Sequence, residues 1–224
     1  MNNQIIEIQK RIESRSKKLR ADYLKKISFA AEQSQSARKN MGCSNIAHAF
    51  ASCDKAQQGE AADGADVIGV ITAYNDMLSA HAPLKDYPDV IKSSSLKRKA
   101  IARVAGGVPA MCDGITQGEP GMELSLFSRD VIALSTAVGL SHNVFDAAIC
   151  LGVCDKIVPG MVIGSLSFGH LPIAFIPAGP MPTGISNADK NEVRKKFANG
   201  EVDRSSLIST EQAAYHSSGT CTFY

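Results

Sequence analysis

The sequence predicts an α/β fold, with a mostly parallel β-sheet flanked by helices on both faces and a helical extension at the N-terminus. Three observations support this prediction. Apolar side chains recur at helical spacing through about the first 58 residues. Beyond them, short apolar runs alternate with amphipathic segments, as in β-α-β units. Two of these runs are apolar on both faces, which is typical of strands buried in a parallel sheet.

The N-terminal region is predicted to be helical because its apolar residues keep an approximate period of one helical turn. These residues are Ile5, Ile8, Ile12, Leu19, Tyr23, Leu24 and Ile27. Residues 41–52 predict a further helix, and the polar, glycine-containing stretch 57–66 predicts a loop. We therefore expect a helical extension over 1–64 and an α/β/α catalytic domain over 65–224.

The second region alternates in character along the chain. Strands are predicted over 66–76, 145–155 and 171–179, and helices over 123–140, 159–168, 187–200 and 209–216. The helix over 123–140 is expected to turn one apolar stripe inward: Leu124, Phe127, Val131, Leu134 and Val138.

Local signals set the expected helix ends. Pro159 suits the first turn of a helix. Asn187 is predicted to cap the next helix, and Gly200 to terminate it. Ser209 and Gln212 have capping-box spacing at the start of the last predicted helix.

The composition argues against several classes of protein. The 224 residues carry 24 basic and 22 acidic side chains, so the formal net charge of +2 gives no general attraction for nucleic acid or a membrane surface. There is no apolar run of about 18 residues, as a membrane helix needs, and no secretory signal pattern. The six cysteines contain no CxxC pair and are expected to be reduced thiols. We therefore expect a cytoplasmic protein.

Polar clusters follow the predicted strands, where ligands gather in parallel sheets. They are Tyr74-Asn75-Asp76, the glycine-rich loop 111–121 and Cys154-Asp155-Lys156. Each could instead be an ordinary turn or cap. Asp113, Asp155 and Lys156 together indicate a site for a hard cation such as Mg²⁺. A thiolate does not suit Mg²⁺, so Cys154 indicates a second, softer metal, for which an iron-sulfur cluster is the natural choice.

Other features leave their alternatives open. The glycines of the 111–121 loop match neither standard nucleotide-binding pattern. Isolated histidines such as His81 are expected to be structural, and His81 is the best exception because it follows the first strand end. A basic cluster over 97–103 could bind phosphate or could be a solvated helix face: Lys97, Arg98, Lys99 and Arg103.

Three ordered blocks carry a resemblance to a known family. They read CDGITQGEPGMELSLFSRDVIALS (112–135), CDKIVPGMVIG (154–164) and SSGTCTFY (217–224). The chain from about residue 65 resembles the dihydroxyacid/phosphogluconate dehydratase family, and its helical extension and residues 73–84 resemble the phosphogluconate branch. The matching positions are Asp113, Gly114, Gly118, Gly121, Met122, Ser125, Ser128, Arg129, Cys154, Asp155, Lys156, Pro159, Gly160 and Cys221.

The resemblance implies two metal groups. A 4Fe-4S cluster would be held by Cys154 and Cys221, and Mg²⁺ or Mn²⁺ by Asp113, Asp155 and, if carbamylated as in relatives, Lys156. Asp155 and Lys156 would be the catalytic residues. Branched-chain members carry a Pro-Cys where this chain has Ser79-Ala80, so the third cluster ligand stays open, with Cys112 as one candidate.

The implied activity is removal of water from a sugar-acid phosphate, by a cytoplasmic homodimer that binds neither nucleic acid nor membrane. Family members are longer and carry a C-terminal β-barrel domain, so we expect this chain to be an N-terminal portion that is inactive by itself. The alternatives are another sugar-acid or branched-chain dihydroxyacid dehydratase of the family, or a non-catalytic metal-binding module.

Overall fold

The computed structural model describes residues 2–38, 40–62, 64–179 and 184–213. Within these ranges four parallel strands form one sheet in the order β2-β1-β3-β4. The strands are β1 Val67–Thr72, β2 Ile101–Gly107, β3 Ala147–Leu151 and β4 Ile173–Ile176. This confirms the predicted α/β class. Strands β1, β3 and β4 lie inside the three predicted segments, because each is a short apolar run bounded by polar or turn residues.

Three helices form the N-terminal region: α1 Asn3–Ala37, α2 Cys43–Phe50 and α3 Lys55–Ala62. The side chain of Asn2 caps α1 by accepting a hydrogen bond from the Gln4 amide at 3.0 Å. The predicted loop over 57–66 is wrong for its first six residues, which belong to α3. Asp54 accounts for this difference, since its carboxylate accepts from the Gln57 amide at 2.8 Å and starts the helix.

The N-terminal helices pack against the sheet region through specific contacts. The Tyr23 hydroxyl donates to the carbonyl of Leu166 at 2.9 Å. Arg103, in β2, donates to the Ser52 hydroxyl at 2.7 Å and to the Cys53 thiol. The predicted basic cluster over 97–103 is therefore not a single surface. Its three residues at 97–99 are exposed beyond a helix end, whereas Arg103 is turned towards the N-terminal helices.

The remaining helices are α4 Tyr87–Leu96, α5 Asp113–Thr116, α6 Ser128–Leu140, α7 Ile157–Leu166, α8 Asn187–Ala198 and α9 Arg204–Ala213, with 3-10 turns at Ala82–Lys85 and Pro120–Leu124. Helix α4 and strand β2 were not predicted. Their sequences hide them, because α4 contains three serines and β2 contains an arginine and two glycines. Right-handed crossovers are the rule for parallel strands and put α4 on one face of the sheet and α6 and α7 on the other.

The predicted starts of α6, α8 and α9 need correction, and α6 begins at Ser128 and not at residue 123. Ser186, not Asn187, caps α8, since its hydroxyl accepts from the Asp189 amide at 3.1 Å. Helix α9 begins at Arg204, five residues before the predicted start, because Asp203 accepts from the Ser206 amide at 2.8 Å. The predicted terminator of α8 is confirmed by Gly200, whose φ of 75° favours glycine.

Helix α6 is rotated relative to the prediction. It buries Ile132, Thr136 and Leu140, whereas Leu134 and Val138 of the predicted inward stripe are exposed. The cause is its close packing on α7, where two glycines admit the α6 backbone. A Cβ atom on Gly164 would lie 2.5 Å from the carbonyl oxygen of Ala133.

The core lies between the sheet and its helices, and its largest fully buried members include Ile71, Ile101, Ile132, Leu151 and Met161. Among the described residues, no helix combines the length and the apolar character needed to cross a lipid bilayer. The strand order has a functional consequence. The chain moves from β1 outward to β2 and then back across β1 to β3, so a crevice is expected at the carboxyl ends of β1 and β3.

Candidate functional site

The loops that follow β1, β2 and β3 begin side by side at one edge of the sheet. The Ala73 amide donates to the Leu151 carbonyl at 2.9 Å, and the Val108 amide donates to the Thr72 carbonyl at 3.0 Å. These bonds continue the strand pairing to the last residue of each strand. The predicted polar clusters therefore do emerge at a common edge.

The loop after β3 turns sharply to present its polar residues. Cys154 has a φ of 89°, a left-handed conformation that is uncommon for a residue with a side chain. It is buried, and its thiol donates to Asp155 Oδ1 at 3.1 Å. Lys156 then occupies the N-cap position of α7. The turn thus directs three successive functional side chains to the edge of the sheet.

The loop after β2 supplies the second carboxylate. Asp113 is the first residue of α5, a single helical turn whose Ile115 amide donates to the Cys112 carbonyl at 3.0 Å. Gly118 has a φ of 80° and lets the chain reverse towards α6. Ser125, which lies just before α6, is buried and donates from its hydroxyl to Asp113 Oδ1 at 2.6 Å.

The two loops meet at one nitrogen atom. Lys156 Nζ lies 2.6 Å from Asp113 Oδ2 and 2.8 Å from Asp155 Oδ1. The Lys156 side chain is only 3% exposed, whereas those of Asp113 and Asp155 are 37% and 47% exposed. A buried ammonium therefore ties together two carboxylates that still reach solvent. The three predicted metal-site residues are brought together.

Hydrogen bonds within this cluster shift its pKa values. Partial burial alone would raise the pKa of Asp113, but hydrogen bonds from Lys156 and Ser125 bring it below the usual value. The hydrogen bond from Lys156, followed by that from Cys154, lowers the pKa of Asp155. Burial disfavours the Lys156 ammonium, yet its bonds to both carboxylates raise its pKa above the usual range. All three groups are consequently charged at neutral pH.

The arrangement fits a small divalent cation. Two carboxylates from different loops can reach one point, as their common contact with Lys156 Nζ shows. Mg²⁺ typically takes one or two carboxylates and completes its shell with water or substrate oxygens. Within the described ranges, no three histidine, cysteine, aspartate or glutamate side chains converge on a metal-binding point. The carboxylates that lie together here are those of Asp113 and Asp155.

The predicted sulfur site can be followed only in part. Cys154 stands beside Asp155, but Cys221 lies outside the described residues. Cys112 is half-buried and immediately precedes Asp113, so it stays a candidate for the third ligand. Cys150 is fully buried in β3, where burial raises the pKa of its thiol to about 11. Cys43 is the first residue of α2, and Cys53, in the turn between α2 and α3, accepts a hydrogen bond from Arg103 of β2.

The cluster after β1 does not join the site. The Asn75 side chain accepts from the Met77 amide at 2.9 Å within its own turn, and Asp76 is exposed. His81 is buried, and its Nδ1 donates to the Ala73 carbonyl at 3.1 Å. Burial lowers the pKa of His81. Local contacts of this kind are what the alternative, structural interpretation of the cluster predicts, and its role stays a prediction.

Two residues of the site received no role from the sequence. Ser125 contacts Asp113, and Arg129 Nη2 donates to the Asp155 carbonyl at 3.2 Å. Both were noted only as positions matching the family. The available signal was their location at the start of an amphipathic helix, directly after the loop that carries Asp113.

Comparisons with known proteins show the family of the chain. Residues 66–224 match the model of the dihydroxy-acid/6-phosphogluconate dehydratase N-terminal domain. Over the whole chain, the sequence is 54% identical to the phosphogluconate dehydratases of Rhizobium meliloti and Pseudomonas aeruginosa and 52% identical to that of Escherichia coli K12. The chain spans 37% of the length of each of these relatives.

Proposed function

Since the chain belongs to the dihydroxy-acid/6-phosphogluconate dehydratase family, we propose that the protein is a hydro-lyase acting on 6-phospho-D-gluconate. The products would be 2-dehydro-3-deoxy-6-phosphogluconate and water, as in the Entner-Doudoroff pathway. The choice of substrate rests on relatives that are 52–54% identical over the whole chain and are named phosphogluconate dehydratases. The observation that carries the proposal is the convergence of Asp113 and Asp155 on Lys156 Nζ.

The reaction poses two chemical problems. The C2–H and C3–O bonds must break, and the resulting enol then takes a proton at C3 to become the keto acid. The C2 proton is weakly acidic while the neighbouring carboxylate is negatively charged, and hydroxide is a poor leaving group. Positive charge is therefore needed at the substrate carboxylate, and a Lewis acid is needed at the C3 hydroxyl.

The residues of the site meet the first need. When bound, Mg²⁺ or Mn²⁺ would supply a Lewis acid at the substrate carboxylate, held by Asp113 and Asp155. Lys156 keeps the two carboxylates ionised and close together. An ammonium has three N–H donors, two of which point to these carboxylates, and we assign the third to the substrate carboxylate. If Lys156 is carbamylated, it would be a third oxygen ligand instead.

For the second need we propose a 4Fe-4S cluster held by Cys154 and Cys221. An exposed iron of such a cluster would supply the Lewis acid for the departing hydroxyl. The support within the described residues is the thiol of Cys154, which the turn after β3 holds beside Asp155 at 3.1 Å. Exposure of one iron would also make the activity sensitive to oxygen.

The cluster proposal is tested with Cys154→Ser in the full-length protein, purified without oxygen and analysed for iron and sulfide. We expect the brown absorbance and the activity to be lost. Cys43→Ser is the matched control, because Cys43 is exposed at the start of α2, and it should change neither. Full absorbance and activity in Cys154→Ser would remove the ligand assignment.

The substrate proposal is tested by assaying the full-length protein with 6-phosphogluconate, gluconate and dihydroxyisovalerate side by side. Preference for 6-phosphogluconate is the expected result. Preference for one of the other two acids would identify a different dehydratase of the family. If the protein dehydrates none of them in the presence of Mg²⁺ and the 4Fe-4S cluster, a non-catalytic metal-binding module would be favoured.

Two further expectations belong to this proposal. We propose that the full-length protein works in the cytoplasm as a homodimer with a small-molecule substrate and with no nucleic-acid or membrane partner. Light scattering on the purified protein tests the dimer, and a monomeric mass would contradict it. The division of the chain near residue 65 into a helical extension and a catalytic domain also stays a prediction.

A further inference from the structure

We propose that Ser125 and Arg129 are positioning residues that hold the two acidic loops in the arrangement a divalent cation requires. The inference rests on the proposed function and assigns roles to two residues that contact the loops from one side. Both lie where the chain enters α6, Ser125 just before the helix and Arg129 in its first turn. They reach different loops, so a single segment can set the spacing between them.

Ser125 fixes the orientation of the Asp113 carboxylate. Its hydroxyl donates to Oδ1 at 2.6 Å, while Oδ2 accepts from Lys156 at 2.6 Å. Both oxygens are engaged, so the carboxylate cannot rotate without losing a bond. Ser125 is itself only 4% exposed, and its carbonyl accepts from the Ser128 hydroxyl at 2.6 Å. The serine is therefore a rigid support for its neighbour.

Arg129 holds the other loop through its main chain. Its Nη2 donates to the carbonyl of Asp155 at 3.2 Å. Its Nε is buried and has no hydrogen-bond partner among the described residues. Leaving a buried donor unpaired costs free energy. The contact with the loop therefore sets the position of the guanidinium, although that position leaves its Nε donor unpaired.

The contact between α6 and α7 holds Arg129 in this position. A Cβ atom on Gly160 would lie 3.0 Å from the Arg129 carbonyl and 2.8 Å from Ile132. This close approach brings the first turn of α6 against the turn that follows β3. The left-handed φ of Cys154 is a conformation that persists only where the surroundings hold it. Arg129 supplies one such restraint, at the next residue.

The test measures the binding of Mn²⁺, which can be followed by electron paramagnetic resonance, to the full-length protein. Ser125→Ala should weaken Mn²⁺ affinity about 10- to 100-fold, the range for loss of a hydrogen bond that orients a metal ligand. Arg129→Gln should weaken it about tenfold for the same reason. Arg129→Lys, which keeps the charge, should recover part of that loss.

Two control variants have comparable chemistry away from the contacts. Ser141→Ala removes an exposed hydroxyl at the C-terminal end of α6 that donates to the Val138 carbonyl, and Arg98→Gln removes an exposed guanidinium after α4. Both should keep Mn²⁺ affinity within about twofold. Unchanged affinity in Ser125→Ala and Arg129→Gln would overturn the proposal. An equal loss in Ser141→Ala would also overturn it, because the effect would then be a general one of disturbing α6.

A measurement on metal-free protein distinguishes failure of this inference from failure of the proposed function. In metal-free protein, Ser125→Ala should free the Asp113 carboxylate to turn away from Lys156. Acylation of Lys156 by acetic anhydride, followed by peptide mass spectrometry and normalised to exposed Lys97, should then become several-fold faster. If wild-type protein binds no Mn²⁺, the proposed metal chemistry fails, and the acylation rates still decide the inference. Equal rates in wild type and Ser125→Ala would refute it.

Discussion

The loop after β1 and the loop after β3 start one hydrogen bond apart and each carries an aspartate, yet they differ in what their polar side chains contact. In the first loop, Asn75 bonds within its own turn and His81 bonds to the nearby Ala73 carbonyl. In the second, Lys156 bonds to Asp113, which is 43 residues away in the sequence. Among the described residues, neither Asn75 nor Asp76 contacts this ion-pair cluster.

The difference shows what distinguishes a candidate site from an ordinary strand end. Emergence at the carboxyl edge of a parallel sheet gives a loop the opportunity to bind a ligand. In the first loop, polar groups form local hydrogen bonds that stabilise a turn, so these groups are not offered to a ligand. Side chains from separate loops that share one ion-pair partner are held together only by tertiary structure, and they can still bind a ligand.

The largest expected contrast between the loops is in activity. Asp155→Asn should lower turnover of 6-phosphogluconate about 10²- to 10³-fold while the proposed 4Fe-4S cluster stays bound. The reason is that it removes one negative charge from the proposed cation site. Asp76→Asn, the same change in the loop after β1, should leave turnover within about twofold. Steady-state kinetics with varied Mg²⁺ measure both. Undiminished activity of Asp155→Asn, or activity that persists in EDTA, would contradict the metal assignment.

A second contrast concerns the support beneath the loop after β3. Gly164→Ala places a methyl group against the Ala133 carbonyl and Thr136, so α6 and α7 must separate. We expect a loss of about 1–3 kcal/mol in the free energy of unfolding, together with weaker Mn²⁺ binding. Gly59→Ala, in α3 with no atom within 4 Å of the added Cβ, should be neutral or stabilising. Urea unfolding gives both values, and equal stabilities would contradict the close packing.

The third contrast is in pH dependence. Burial lowers the pKa of His81 below its ordinary value of 6.5. The unfolded state therefore binds more protons than the folded state as the pH falls below about 6.5, so stability decreases with falling pH. The slope from one histidine is at most about 1.4 kcal/mol per pH unit. His81→Gln should flatten it, leaving the part due to His170, whose pKa burial also lowers. An unchanged slope in urea unfolding between pH 7 and pH 5 would contradict this.

The smallest expected effect is that of Asn75→Ala. It removes a hydrogen bond to the Met77 amide in a partly exposed turn, and we expect a loss of about 0.5–1 kcal/mol in unfolding free energy. Mn²⁺ affinity should not change, because Asn75 contacts neither acidic loop. Weakened Mn²⁺ binding in this variant would show that the two loops are coupled.

Residues near strand ends were the most predictable part of the molecule. An apolar run that stops at a polar group locates β1 and β3 from local sequence alone. The same strand-end argument grouped Asp113 with Asp155 and Lys156, although β1 lies between β2 and β3 in the sheet. Ser125 and Arg129 needed the structure to show which atoms they reach.

The orientation of α6 was not predictable from its pattern. Apolar residues occur on more than one side of this helix, so spacing alone could not choose between the Val138 side and the Leu140 side. The packing of glycines in α7 made the choice, through contacts that no single-helix pattern contains. Strand β2 was not predicted for a related reason, since its Arg103 donates to the Ala49 carbonyl in α2 and to Ser52 in the turn after that helix.

The buried Lys156 ammonium has one more consequence. Its positive charge already offsets the two carboxylates, so the protein folds without a concentrated negative charge at the head of its sheet. A metal ion bound there as proposed would share its two carboxylates with the ammonium of Lys156. Its affinity would therefore be lower than two carboxylates without that nearby positive charge would give.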